Sequence, residues 1–289
     1  MRLCKNVVGL SAWFLYFALS MIPGVALAQV TDQTKVLQVG ILPTLSAKAL
    51  LKNYRPLQLY LERELKRPLE LSTATDFRAF HLNTIEGKYD VVVTAAHMAR
   101  LAQTEAKYTP IAQYMAANRT VLIEAKDRPL RSIHDLKGKS LAIGDRHALI
   151  VSQTLNYLLE QGLREGVDYT LIETPSHNSA AYSVQSHQSI LAVSSPSGLK
   201  NIPDAIKDNV KIFATLSELP SLIWMAHPRM TAQVPQIKSA LLKLTTAIPE
   251  GALFLETTGY VGLRDISSDE MKTLDPYAKE LSNMLKMRP

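Results

Sequence analysis

The sequence predicts an α/β protein built as two lobes, each a mostly parallel sheet flanked by helices. Three observations carry this. Short apolar runs with strand character alternate with longer stretches of helical spacing, the pattern of sheets covered on both faces. The 289 residues exceed the usual size of one domain. No Gly- or Ser-rich linker divides the chain, so the lobes are expected to be joined by strands that act as a hinge.

The elements follow in order. Residues 35–42 are nearly continuous in apolar side chains and read as a first strand buried on both faces. Helical spacing of Leu57, Tyr60, Leu61 and Leu65 marks a helix over 54–65, stopped at Arg67 and Pro68. A strand at 69–73, a helix at 77–86 closed by Gly87 and a strand at 90–94 continue the alternation, and a helix over 98–107 follows the loop Ala95 to His97. Strands at 108–114 and 120–125 lead to a short helix at 132–139. The unit over 140–159 is strand, turn and helix, with Ala148, Val151, Leu155, Leu158 and Leu159 as the apolar stripe and Gly162 as the stop. A second such unit spans 169–185. Strands at 189–193 and 210–215 complete the second lobe, residues 221–226 return to the first, and helices at 237–247 and 269–287 finish the chain, the last broken near Asp275 and Pro276. The expected division is 29–118 and 221–289 for one lobe and 119–220 for the other.

The first residues read as a cleavable leader over 1–28. Arg2 and Lys5 precede an apolar run from Val7 to Leu19, and Ala26, Leu27 and Ala28 form a small-residue cleavage site before Gln29. That predicts export, to the periplasm. The single cysteine, Cys4, lies in this segment, so a disulfide, a cysteine nucleophile or a thiolate metal site is not expected after it. The formal charge of +6 becomes +4 once Arg2 and Lys5 are removed, and the basic residues are scattered, which argues against nucleic acid as a partner. No Gly-x-Ser-x-Gly elbow, no His-Glu-x-x-His pair and no metal-ligand spacing among the seven histidines is present, so neither an enzyme nor a cofactor is expected. A hydrolase built from Ser46, Asp145 and His177 is only a remote alternative.

The turns of the two strand–turn–helix units place helix N-termini at one sheet edge, where unpaired N–H groups and the positive end of the dipole favour a small anion. The loops 43–46 and 95–97 are expected to face them, at the carboxyl ends of the first and third strands.

Taken together, Val39-Gly40-Ile41, Tyr89-Asp90-Val91-Val92, residues 135–139 before 141–144, His177-Asn178-Ser179-Ala180 and Leu274-Asp275-Pro276-Tyr277 resemble the periplasmic solute-binding proteins of the phosphate, phosphite and phosphonate type, the capture subunits of ABC importers. The resemblance implies the two-lobed type II periplasmic binding fold, closing on a phosphonate- or phosphite-like oxyanion, with an inner-membrane ABC permease as partner and a monomeric state. A sensing subunit of a membrane signalling protein is the alternative. Three departures stand out. Asp145-Arg146-His147 replaces the family's Ser/Thr-rich turn, Ala95-Ala96-His97 its aromatic residue, and Gln188 to Leu191 its Gly-x-Val-Asp approach.

Expected ligand contacts from the second lobe are Arg146 and His147 as charge-assisted donors and His177 at the place of the family's ligand-contacting histidine. Asn178 and Ser179 are candidates that equally suit an N-cap, and Ser195 is one that equally suits a turn. From the first lobe the candidates are Thr44, Ser46 and His97.

Overall fold

The structure is a computed structural model and describes residues 35–115 and 118–286. The leader read over 1–28 lies outside the described residues. The chain runs through β1 (Leu37–Ile41), α1 (Ala47–Leu65), β2 (Leu69–Ser72), α2 (Phe77–Ile85), β3 (Val91–Thr94), α3 (Ala96–Ala106) and β4 (Thr109–Tyr114). It crosses to β5 (Asn118–Ala125), a 3-10 turn at Ile133–Leu136, β6 (Ser140–Ile143), α4 (Leu149–Glu160), β7 (Thr170–Glu173), α5 (His177–Gln185), β8 (Leu191–Ser194), α6 (Pro196–Lys200), α7 (Asp204–Lys207) and β9 (Val210–Leu219). It returns as β10 (Ile223–Ala226), a 3-10 turn at Pro228–Gln233, α8 (Val234–Lys243), α9 (Pro249–Thr258), β11 (Leu263–Arg264), α10 (Ser268–Lys272) and α11 (Asp275–Lys286).

Two sheets result, in the orders β11-β4-β10-β3-β1-β2 and β7-β6-β8-β5-β9. Each is mixed. The strand–helix–strand units supply the parallel pairs, β1 with β2 and β3, and β6 with β7 and β8. The strands next to the crossings enter from the opposite end, so β10 is antiparallel to β3 and β4, and β5 to β8 and β9. Between 247 and 269, where the sequence reading has no element, the structure holds α9 and β11. Pro249 opens α9 and Gly259 closes it in the left-handed conformation.

Side-chain alternation in the first sheet sends Val39, Ile41, Val91, Val93 and Trp224 to one face, with Leu50, Leu57 and Leu61 of α1 and Ile237 and Leu241 of α8. Val92 and Met225 go to the other face, with Phe80 of α2 and Met98 and Ala102 of α3. In the second sheet Val121, Ile123, Ala142 and Ala192 meet Ala180, Ala181 and Val184 of α5. Leu122, Leu141, Ile143 and Val193 lie in one apolar cluster with Val151 and Leu158 of α4, and that cluster continues into Val92 and Met98 of the first lobe. Leu159, read as part of the α4 stripe, is 58% exposed, because the buried face passes through Val151, Thr154 and Leu158 instead. Gly40 leaves room for a ring: a Cβ there would lie 2.7 Å from Tyr89. Next to it, buried Asp90 accepts from the Gln38 N–H at 2.8 Å and from Arg229 Nε at 2.6 Å, fastening β1 to the segment after β10.

The crossings lie side by side. Asn118 opposes Leu219, Asn118 Nδ2 donates to the Pro220 carbonyl at 3.1 Å, and the Tyr114 N–H donates to the Leu222 carbonyl at 3.0 Å. Beyond them the lobes touch through side chains. Asn53 Nδ2 donates to Asn201 Oδ1 at 2.8 Å, the Phe77 N–H to Asp145 Oδ2 at 2.8 Å, and Lys200 Nζ to the Glu256 carbonyl. His97 is 2% exposed, and its Nε2 meets the His147 carbonyl at 2.9 Å. Donation to a carbonyl requires the Nε2–H tautomer, which leaves Nδ1 as a buried acceptor without a partner. Burial pushes the His97 pKa down to about 4, against the upward pull of that carbonyl, so the ring is neutral at neutral pH.

Two predictions follow from the packing. Gly40→Ala forces the Tyr89 ring to move and is expected to destabilise by about 2 kcal/mol, a fall in melting temperature of about 4–8 °C. For His97, the unfolded chain binds a proton below about pH 6.5 and the folded protein only near 4, so its contribution to stability is full above pH 6.5 and is lost as the pH falls to 4. His97→Gln keeps a donor for the His147 carbonyl and is expected to remove about 2–3 kcal/mol of the stability lost between pH 7 and 4.5 in urea unfolding. His81, which burial also pushes down, keeps part of the slope.

Candidate functional site

A cavity of about 120 Å³ lies where the two lobes meet. The first lobe contributes Leu42, Thr44 and Leu45 after β1, Leu50, Asn53 and Tyr54 of α1, Phe77 at the start of α2 and Ala95 after β3. The second contributes Ala148 to Ile150 at the start of α4, Ser195 to Gly198 at the start of α6, and Asn201. Asn118, Ser221 and Leu222 close it at the crossings, and Thr258 to Tyr260 at the end of α9. The carboxyl ends of β1, β3 and β8 thus open onto it, the usual location for a ligand in such sheets. Among the described residues, no Lys, Arg, His, Asp or Glu side chain lines it.

The helix starts differ from one another. Ser46 Oγ accepts from the Ala49 N–H in α1, Asp76 from Ala79 in α2, Ser176 from Ser179 in α5 and Ser195 from Gly198 in α6. The N-caps of α3 and α4 are Ala95 and Ala148, which provide no side-chain cap, and both line the cavity. The starts of one helix from each lobe, neither closed by a side-chain cap, therefore border the same space, and helix starts favour an anion through their unpaired N–H groups and dipole.

The residues singled out from sequence fall into five places. Thr44 and Ser195 line the cavity, although Ser195 Oγ also caps α6 and contacts Ser197 Oγ at 3.2 Å. Ser46 and Ser179 line a second crevice beside it, and Ser179 Oγ pairs with Ser176 Oγ at 3.1 Å. Asn178 sits behind the wall: its Nδ2 donates to the Asn201 carbonyl at 3.1 Å and helps to place Asn201, which does line the cavity. His97 and His147 join the lobes as described above. The fifth place is the outer face, where Arg146 donates to Glu165 at 2.8 and 3.1 Å and to Glu173 at 2.9 Å, bonds that raise its pKa further, Glu165 foremost. His177 opens α5, and its side chain lies outside the described residues.

Asp145, whose charge would repel an anion, does not line the cavity. Its Oδ2 accepts from the Phe77 N–H at the start of α2, and its Oδ1 from the His147 N–H at 2.8 Å and the His147 ring at 2.9 Å. Burial alone would raise this carboxyl, but these bonds outweigh it and hold it below the usual carboxylate range. The carboxylate is an internal anion for α2. Sequence reasoning misses Asn53, Tyr54, Asn118, Asn201, Ser221 and Tyr260 as lining residues; it puts the loop of Ala95 at the site and Ala148 in the α4 stripe, but neither as an N-cap. Asn53 alone left a signal, a polar residue beside Leu50, Tyr54 and Leu57 on the buried helix face.

A family model described as the periplasmic substrate-binding protein of phosphonate ABC transporters matches residues 39–271. Among solved structures, PhnD1 from Prochlorococcus marinus in complex with methylphosphonate is similar at a TM-score of 0.75 and 17% identity, over 86% of this chain and 98% of that one. A binding protein component of an ABC phosphonate transporter from Pseudomonas aeruginosa gives 0.76 and 16%, over 89% and 90%. The periplasmic aliphatic sulphonate binding protein SsuA from Escherichia coli gives 0.60 and 13%, over 88% and 94%. At these identities the likeness establishes the fold, two mixed sheets flanked by helices in the type II periplasmic binding arrangement. The family model spans most of both lobes and of the cavity's lining, and the chain belongs to the periplasmic substrate-binding proteins of phosphonate ABC transporters.

Proposed function

We propose that the protein captures a small oxyanion, a phosphonate or close analogue, in the cavity between its lobes and delivers it to the permease of an ABC importer. The reading includes export to the periplasm by the leader over 1–28. The observation that carries it is the convergence of two helices without side-chain caps, α3 and α4, on one cavity that no charged side chain among the described residues lines. Oxygen atoms of the ligand replace the missing caps, with Thr44, Ser195, Ser197 and Ser221 as further hydroxyl donors around the same cavity. One helix belongs to each lobe, so only the closed form presents both, and the ligand selects that form by hinge rotation at the two crossings. Binding rather than catalysis is the proposed role, because Ser46 and Asp145 are both committed to helix N-termini. Family membership favours transport over a sensing role.

Ala148→Asp supplies the cap that α4 lacks. It is expected to hold or raise stability, by up to about 1 kcal/mol, while weakening methylphosphonate binding at least tenfold in calorimetry, since the carboxylate takes the N–H groups and repels the ligand. Arg146→Ala removes only the ion pairs to Glu165 and Glu173 and is expected to leave affinity within twofold. A large loss with Arg146→Ala and none with Ala148→Asp would place the ligand elsewhere.

A further inference from the structure

We infer that the site takes oxyanions whose remaining substituent is an uncharged organic group and rejects those that carry an ammonium. The inference rests on the oxyanion reading above and adds which tail accompanies the oxyanion. Away from the helix starts, the wall is made by Leu45, Leu50, Tyr54, Leu222 and Tyr260. An ammonium enclosed there would lose its water and needs a carboxylate or several free carbonyls in exchange. None is offered. Burial pushes the Tyr54 and Tyr260 hydroxyls well above their ordinary pKa, so neither supplies a negative charge. The carboxylates of Asp76, Asp145 and Glu173 line an adjoining crevice that shares Thr44 and Phe77 with the cavity, and all three are engaged: Asp76 with the Ala79 N–H and Thr75 Oγ, Asp145 with Phe77 and His147, and Glu173 with Arg146.

The last turn of α9 is the one other place where a cation would be favoured, because helix C-termini carry unpaired carbonyls. It is already occupied. Lys200, from the opposite lobe, donates to the Glu256 carbonyl with its stem beside Gly259. Thr258 Oγ donates to the Phe254 carbonyl at 2.7 Å, and the Gly259 N–H to the Leu255 carbonyl at 2.9 Å. The protein's own ammonium fills the position that an aminoalkyl ligand would need. What remains for a tail are apolar and aromatic surfaces and the neutral amide oxygens of Asn53 and Asn118.

The test compares ethylphosphonate, 2-hydroxyethylphosphonate and 2-aminoethylphosphonate, ligands of similar size, by calorimetry at pH 7. Ethyl- and hydroxyethylphosphonate are expected to bind at least tenfold tighter than the aminoethyl compound. Lengthening the alkyl chain is expected to gain about fourfold per methylene until the cavity is full, the roughly 0.8 kcal/mol of a buried methylene expressed as affinity. A ratio below tenfold overturns the inference about the tail and leaves the oxyanion reading standing. Silence from all three and from methylphosphonate overturns both. Leu45→Asp, at a partly exposed loop position on the cavity wall, places a carboxylate in the site and is expected to shift the ratio toward the aminoethyl compound at least tenfold. An unchanged ratio shows that this wall does not meet the tail.

Discussion

Each helix must find acceptors for the N–H groups of its first turn, and the way this chain does so decides where a ligand can sit. α1, α2, α5 and α6 are closed by Ser46, Asp76, Ser176 and Ser195, and α2 receives Asp145 from the other lobe as well. α3 and α4 begin at Ala95 and Ala148. An alanine cap forgoes about 1 kcal/mol that a serine or aspartate would contribute, and both instances line the same cavity. The chain therefore carries, at one place, a shortfall that an oxyanion removes. In the proposed site, water meets those donors when the cleft is open, and the ligand meets them in a fixed arrangement when it is closed.

Closure has contacts of its own. Asn53 with Asn201, Phe77 with Asp145, His97 with His147 and Lys200 with Glu256 join the lobes without any ligand atom. The Asp145-Arg146-His147 turn, which stands where relatives carry hydroxyl donors, belongs to this set. Its aspartate bonds to α2, its histidine orients that aspartate and accepts from His97, and its arginine turns outward to Glu165 and Glu173. The turn makes lobe contacts and does not line the cavity. Asp145 titrates below the usual carboxylate range and His97 near 4, so at neutral pH the one is ionised and the other neutral.

Much of the fold was legible because apolar runs report burial directly. β1, β3, β6 and α4 stand close to where their side-chain spacing puts them, and the mixed sheets differ from the parallel expectation only at the strands beside the crossings. α9 escaped because Ala252, Leu253, Phe254 and Leu255 form an apolar run without helical alternation. The site was legible in position and much less so in residues. Charged side chains attract attention in a sequence, but their partners are distant in it: Arg146 is answered by Glu165 and Glu173, 19 and 27 residues further on. Ala95 and Ala148 announce nothing, since their contribution is to leave backbone groups free. A missing cap ahead of a strong helix is the mark they leave, and it is readable only once the helix start is known to within a residue.

A neutral site also suits a protein that must let go. An arginine facing the ligand would hold most of the binding energy in one residue on one lobe, and separating the lobes would leave that contact intact. Here the donors are many, individually modest and divided: α3, Thr44 and Asn53 on the first lobe, α4, Ser195 and Ser197 on the second. A hydrogen bond weakens steeply beyond about 3.5 Å, so a small opening at the crossings removes half of them together. Affinity is thereby tied to closure, and a permease that holds the lobes apart lowers it without competing for any single group.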